Sequence, residues 1–298
     1  MPDRSIPTTE PINLRLTLAP LPMGKGDPTH RIAADEVWRA TRTPAGPATL
    51  HLKAVDGHIA ARAWGPGADW VLDTAPDLVG AGDDPSRLRP RHRVVRDLAR
   101  RLIGLRIPRS LAVTESLVRS IVAQKVTSAE AKRSYRRLVI SLGEPAPGPS
   151  DLVLPPDPFA LAALPYYEFH PFGVEQRRAE TIRLVCARSN RLEEATSMSP
   201  AGALGLLTAV PGVGPWTAAK VALTALGDPD AVKVGDYHLP DLVVWMLAGE
   251  PRGDEGRMLE LLEPYRGHRG RVVRLLEASG VRAPSFGPRR PARSIERI

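Results

Sequence analysis

The stretch Val210-Pro211-Gly212-Val213-Gly214-Pro215-Trp216-Thr217-Ala218-Ala219 constrains this chain more than any other part of it. Two apolar segments flank a proline–glycine cluster, which predicts a helix, a tight turn and a second helix. Gly212 and Gly214 permit positive φ and the close approach of another backbone. Pro215 suits the first position of the second helix, where no N–H partner is lost. Such a turn aims free backbone N–H groups and a helix N-terminus at one point, an anion site whose usual occupant is a phosphate. The same residues also read as a plain helical hairpin whose glycines only save space. Twenty residues past Trp216, the run Val234-Gly235-Asp236-Tyr237-His238 sets an acidic residue just ahead of another helical pattern.

The length of 298 residues suggests about two domains with chain enough for a large core. No apolar run approaches the roughly 20 residues of a membrane span, and the start lacks a basic-then-apolar secretory pattern. A cytoplasmic, nucleoid-associated protein is the expectation. Cys186 is the one cysteine. Alone it makes no internal disulfide, iron–sulfur cluster or zinc site, and its apolar surroundings, Ile182–Ala187, mark it as a core residue. Net charge is +8 and unevenly spread: residues 1–90 hold 10 Lys+Arg against 11 Asp+Glu, whereas the segment from Arg266 onward holds nine arginines and two acids. A basic portion points to nucleic acid or another polyanion; a solubilising arginine-rich surface is the plainer alternative.

The pattern along the chain predicts an α+β fold. Residues 1–11 are polar and proline-containing and read as a disordered N-terminus. From 12 to 88, Asn13–Leu18, Asp35–Ala40, Ala48–Leu52 and Ile59–Trp64 alternate as short strands between Gly/Pro turns, an antiparallel β domain with Trp38, Trp64 and Trp70 in its core. Asp73–Gly80 reads as a short helix. From 89 to 280 the chain reads as mainly α-helical: Leu117, Val118, Ile121 and Val122 share one helix face, and Thr127-Ser128-Ala129-Glu130 matches a capping box. Residues 281–298, with Arg289, Arg290, Arg293 and Arg297, form a basic Pro/Arg-rich tail that reads as disordered.

Taken together, the Pro-Gly-Val-Gly turn, the Trp-Thr-Ala after it and the Val-Gly-Asp-Tyr segment resemble the helix–hairpin–helix DNA glycosylases. Within them the likeness is to the AlkA type of 3-methyladenine DNA glycosylase II. Further matches follow in order along nearly the whole chain: Asp27-Pro28-Thr29, Trp38-Arg39-Ala40, Thr43–Ala48 and Trp64–Gly67; then Leu117–Ile121 with Gln124, Val126 and Thr127; then Phe172–Val174 with Arg177–Ala179; finally Pro264–Gly267. The resemblance implies an enzyme that flips a damaged nucleotide out of duplex DNA and hydrolyses its N-glycosidic bond, alkylated purines of the 3-methyladenine type being the expected substrates. It implies backbone binding by Pro211, Gly212, Val213, Gly214 and Thr217, a monovalent cation (Na+ or K+) on hairpin carbonyls as the one structural ion, and no other cofactor. Asp236 matches the catalytic aspartate, although an Asp ahead of a helix also reads as its N-cap. Trp216, Tyr237 and Tyr166 are the candidate base pocket, and Gln124 and Lys125 the candidate groove or lesion-gap residues.

Trp216 stands where relatives that also cleave the backbone carry a lysine nucleophile, and Lys220 lies one turn beyond. The expectation is therefore hydrolysis without lyase activity, by a monomer acting on damaged double-stranded DNA. Two departures leave the preferred base open. Lys125 is a poor apolar wedge, and Arg271 and Arg274 stand where some relatives bring a second pocket aromatic. Two alternatives stay beside the leading one: a glycosylase for a deaminated or oxidised base, and a DNA-binding homologue without turnover.

Overall fold

The computed structural model describes residues 2–284; most of the basic tail, including Arg289, Arg290, Arg293 and Arg297, lies outside the described residues. The fold is α+β. Its sheet holds five antiparallel strands, β1 (Asp3–Pro7), β2 (His30–Ile32), β3 (Glu36–Thr43), β4 (Gly46–Val55) and β5 (His58–Trp64), in the order β1-β5-β4-β3-β2. One face buries Val37, Leu50, Leu52, Ile59, Ala61 and Ala63 against α1 (Leu14–Leu18) and α2 (Ala68–Leu78). The opposite face carries Trp38 stacked between His51 and Trp64, with centroids 4.1 and 5.4 Å away. Here the proline-rich loop is a cover: a Cβ on Gly148 would stand 2.5 Å from the Trp64 ring. The tryptophans Trp38 and Trp64 are thus half-buried stacking residues between sheet and loop.

Two of the expectations fail in this region. Residues 3–7 form β1, paired with β5 from Asp3↔Arg62 to Pro7↔His58, instead of a disordered start. An edge strand buries little, here only Ile6, so its composition reads as loop. Asn13–Leu18 is a helix and not a strand: the Asn13 side chain caps it by accepting from the Leu16 amide at 2.9 Å. Leu14 and Leu18 enter the sheet core while Leu16 packs on a second core, so alternating leucines serve two neighbours of one short helix.

The helical part has two cores. The first is built from α4 (Val113–Val122), α5 (Ser128–Leu142), α6 (Pro158–Ala163), α7 (Gln176–Ala187), α8 (Ser189–Glu193), α9 (Pro200–Thr208) and α10 (Pro215–Val221). Thr127 and Glu130 make the expected capping box at the start of α5. The second core joins α3 (Arg93–Arg101), early in the chain, to α11 (Leu239–Ala248), α12 (Glu255–Leu262) and α13 (Arg269–Ala278). The loop 227–238 is the crossing between them. A buried ion cluster fastens the sheet to the first core: Glu115 of α4 meets Arg119 at 2.7 Å and Arg39 of β3 at 3.5 Å, and accepts from Thr41 Oγ1 at 2.6 Å.

Candidate active site

The hairpin joins α9 to α10. Ser199 caps α9 by accepting from the Gly202 amide, and Val213 N donates to Val210 O at 3.0 Å to close the turn. Only Gly212 uses the left-handed region, at φ +88°. A Cβ there would stand 2.3 Å from Thr181 Oγ1, so glycine lets the turn lie against α7. Gly214 is different: its backbone is ordinary extended chain and a Cβ would meet nothing within 4 Å. Its outer side is open, which is where an anion would approach. It precedes Pro215 at the first position of α10, and the amides of Trp216 and Thr217, in the first turn, have no carbonyl partner inside the helix.

Gln124, at the end of α4, braces this turn. Its amide donates to Gly212 O at 2.9 Å and to Thr217 Oγ1 at 2.8 Å. The structure therefore gives Gln124 a supporting position under the hairpin. Thr217 is buried, its hydroxyl taken by Gln124. Lys125 follows with φ +56°, an uncommon conformation for a non-glycine residue and one that turns the chain sharply between α4 and α5.

Asp236 is held from four directions. Trp216 Nε1 donates to Oδ2 at 2.8 Å, while the amides of His238 and Leu239 donate to Oδ1 at 3.0 and 3.1 Å. The carboxylate caps α11 with one oxygen and faces the hairpin helix with the other. Burial alone would raise its pKa. The Lys233 charge, the indole N–H and the two amides outweigh that and hold it below the usual aspartate range. Its loop is pinned by Glu255, which accepts from Gly235 N at 2.6 Å, and by the ion pair of Lys233 with Glu277 of α13. Trp216, half-buried, thus links the first helical core to a carboxylate at the edge of the second.

The remaining candidates divide. Tyr237 is 75% exposed and stands edge-on to His238, so it projects beside Asp236 and does not line a closed pocket. Tyr166 lies on a short helical turn (Tyr166–Phe172) packed against α5 and α7, its ring against Tyr167 and His170. Arg271 is buried and ion-paired to Asp83, and Arg274 donates to Leu16 O at 3.1 Å and meets Glu277 at 3.4 Å. Both fasten α13 to the first hundred residues. Lys220, which the sequence reading noted one turn beyond Trp216 but gave no role, is brought to that indole. Its Nζ stands 4.7 Å from the centroid of the Trp216 ring. The signal was present: four residues apart on a helix is one face. Among the described residues, no group of three or more His, Cys, Asp or Glu is placed to hold a metal ion.

The site is thus a hairpin helix bonded through an indole to a fixed carboxylate, between a five-stranded sheet and two helical cores. The 3-methyladenine DNA glycosylase from Archaeoglobus fulgidus superposes with a TM-score of 0.76 at 18% identity, over 92% of this chain and 97% of that one. MBOgg1, solved with a low-affinity DNA ligand, gives 0.72 at 17% identity, over 92% and 93%. In sequence, the chain is 31% identical over 175 residues (56% of its length) to the Mycobacterium tuberculosis protein named "Probable bifunctional transcriptional activator/DNA repair enzyme AlkA". It is 28% identical over 169 residues (55%) to DNA-3-methyladenine glycosylase 2 of Escherichia coli. It spans 33% and 58% of the lengths of these two relatives. No family model matches the chain. In fold it is similar to these two solved proteins, and in sequence it is similar to AlkA-named proteins.

Proposed function

We propose that this chain is a DNA glycosylase that flips an alkylated purine nucleotide out of duplex DNA and hydrolyses its N-glycosidic bond. The observation that carries the reading is the geometry of Asp236, a carboxylate kept ionised and oriented by Trp216, two helix amides and the Lys233 charge. When the C1′–N bond breaks, the sugar gains oxocarbenium charge, and a fixed carboxylate beside it lowers that barrier without reorganising. Water then attacks C1′, and Asp236 takes its proton. The amides at Gly212–Thr217 grip a backbone phosphate while reading no base, which separates grip from specificity. Hairpin carbonyls would hold a monovalent cation there; Gly212 O, already bonded to Gln124, keeps a second lone pair for it. Tyr237, exposed beside Asp236, would stack against a nucleotide of the opened duplex.

Trp216 cannot form a Schiff base, so the reaction ends at the abasic site without strand cleavage. The test is base release from duplexes carrying one lesion each, by wild type and Asp236→Asn. The wild type should release the base and the variant lose at least about 100-fold, the scale of removing one preorganised electrostatic group. Wild-type cleavage of an abasic strand with a borohydride-trapped adduct would contradict the reading of simple hydrolysis. Tight DNA binding without release from any lesion would instead favour a binding protein.

A further inference from the structure

Lys220 is the group near Asp236 that simple hydrolysis of a cationic base does not use. It lies on α10 one turn after Trp216, with its ammonium over the indole face. The helix continues beyond Val221 as a π-helical turn (Ala222–Leu226), in which Thr224 Oγ1 donates to Lys220 O at 2.8 Å and bonds Ser116 at 2.9 Å, fixing that segment on α4. The charges facing Lys220 come from three other elements: Arg119 of α4, Lys233 and Asp236 of the loop 227–238, and Glu277 of α13. Each of these has its own partner. Arg119 pairs with Glu115, Lys233 with Glu277, and Asp236 is bonded by Trp216 and two amides. Among the described residues no carboxylate forms an ion pair with Lys220. A small space at its side, about 20 Å3 and lined also by Leu21, Met23, Arg119 and Ser120, has room for a water and not for a base.

We propose that Lys220 is a proton-donating and specificity-determining residue of the base site, which favours an uncharged damaged purine with an acceptor nitrogen or oxygen facing the ammonium. This rests on the glycosylase reading above, and ranks damaged purines, alkylated or deaminated, by the charge of the base. A neutral purine leaves poorly because the bond's electron pair would make it an anion. With Lys220 as donor the C1′–N bond breaks, the electron pair stays on the purine, and the ammonium proton goes to a purine acceptor, so the base departs neutral. Water bonds to C1′ and passes its proton to Asp236; exchange with solvent returns a proton to Lys220 and removes one from Asp236. A base already cationic through alkylation needs no such donor, and stacking on Trp216 would bring it within a few Å of a like charge. That repulsion amounts to roughly 100-fold or more at the effective dielectric of a partly buried site. The indole face that attracts cations is already in use by Lys220. Burial, with the Lys233 and Arg119 charges added, pushes the Lys220 ammonium down to about 8 against the pull of Asp236 and Glu277. A donor near the working pH is suited to general acid catalysis.

The experiment uses the purified full chain and three duplexes, each with one ethenoadenine, hypoxanthine or 7-methylguanine. Single-turnover release is measured from about pH 5 to 9 for wild type, Lys220→Met and Lys220→Arg, with melting curves and binding to an abasic-analogue duplex as controls. The wild type should release the two uncharged bases with an alkaline limb near pH 8. Lys220→Met should lose about 100-fold on them and lose that limb, while 7-methylguanine release is unchanged or faster. Lys220→Arg should keep the preference and move the limb to higher pH. An equal loss on all three duplexes, or an unchanged ranking, would overturn the role of Lys220 while leaving the glycosylase reading intact. Should Lys220→Met fail to fold, the absence of an alkaline limb in wild type, or of any shift in Lys220→Arg, would overturn it equally. Wild-type release of none of the three would sink the glycosylase reading and this inference with it.

Discussion

Replacing Trp216 by phenylalanine separates the two tasks the structure gives that side chain. Phenylalanine keeps an aromatic face on α10 but removes the Nε1–H that donates to Asp236 Oδ2 at 2.8 Å. A hydrogen bond to a charged group contributes about 1.5–3 kcal/mol, so its loss weakens the hold on the anion and raises the Asp236 pKa. The carboxylate is partly exposed, water replaces part of the bond, and Lys233 and the two amides remain, so the rise is smaller than complete loss would give. The sign follows from the chemistry. In the proposed mechanism Asp236 works as its anion, so the rate should fall as pH drops through its pKa, and a raised pKa should move that acid limb to higher pH. Near pH 7.5 the carboxylate is ionised in both proteins and the rate should fall less than about tenfold. Single-turnover release from a one-lesion duplex, followed between about pH 4 and 8, reads both quantities. An unmoved acid limb together with a large uniform loss at neutral pH would refute the reasoning: the indole would then be a wall and not the holder of Asp236.

Three further substitutions test the scaffold. Gly212→Ala forces a Cβ to 2.3 Å from Thr181 Oγ1 at φ +88°; the left-handed conformation alone costs roughly 1–2 kcal/mol, so the hairpin should shift and DNA affinity fall by about tenfold or more, measured against an abasic-analogue duplex. Gly214→Ala, with open space at its Cβ and an ordinary φ, should leave the melting temperature unchanged and weaken binding alone. Glu115→Ala strips the buried partner from Arg39 and Arg119 and should destabilise the chain by about 3–5 kcal/mol, seen as a melting temperature lowered by on the order of 10 °C.

Much of this architecture is visible in the residues themselves. The Thr127/Glu130 box, Ser199-Pro200 before α9 and Gly227 after the hairpin's second helix all act where local chemistry says they should. These signals are short-range. What escaped the sequence depends on distant partners. β1 exists because β5, more than fifty residues away, offers it an edge, and its side chains carry almost no burial signal. α1 reads as a strand because its leucines alternate, a period set by two cores that only the fold brings together. At the site, Asp236 was legible as both cap and catalytic candidate, and the structure gives it two oxygens with separate partners. Gln124 and Tyr166 were named for their neighbours in sequence, and their packing puts one beneath the hairpin and the other on α5 and α7. Lys220 sat in plain view, four residues from Trp216. Its meaning depends on which carboxylates are already taken, and no sequence pattern shows that.

The central claim is that Asp236, held by Trp216, breaks a glycosidic bond. The most direct measurement is release of free base from a single-lesion duplex by wild type and Asp236→Asn under single turnover, with equal binding to an abasic-analogue duplex as the control. Asparagine still offers an oxygen to cap α11, so the fold should persist. The account predicts release by wild type and at least about a 100-fold lower rate in the variant; equal rates for the two proteins would contradict it.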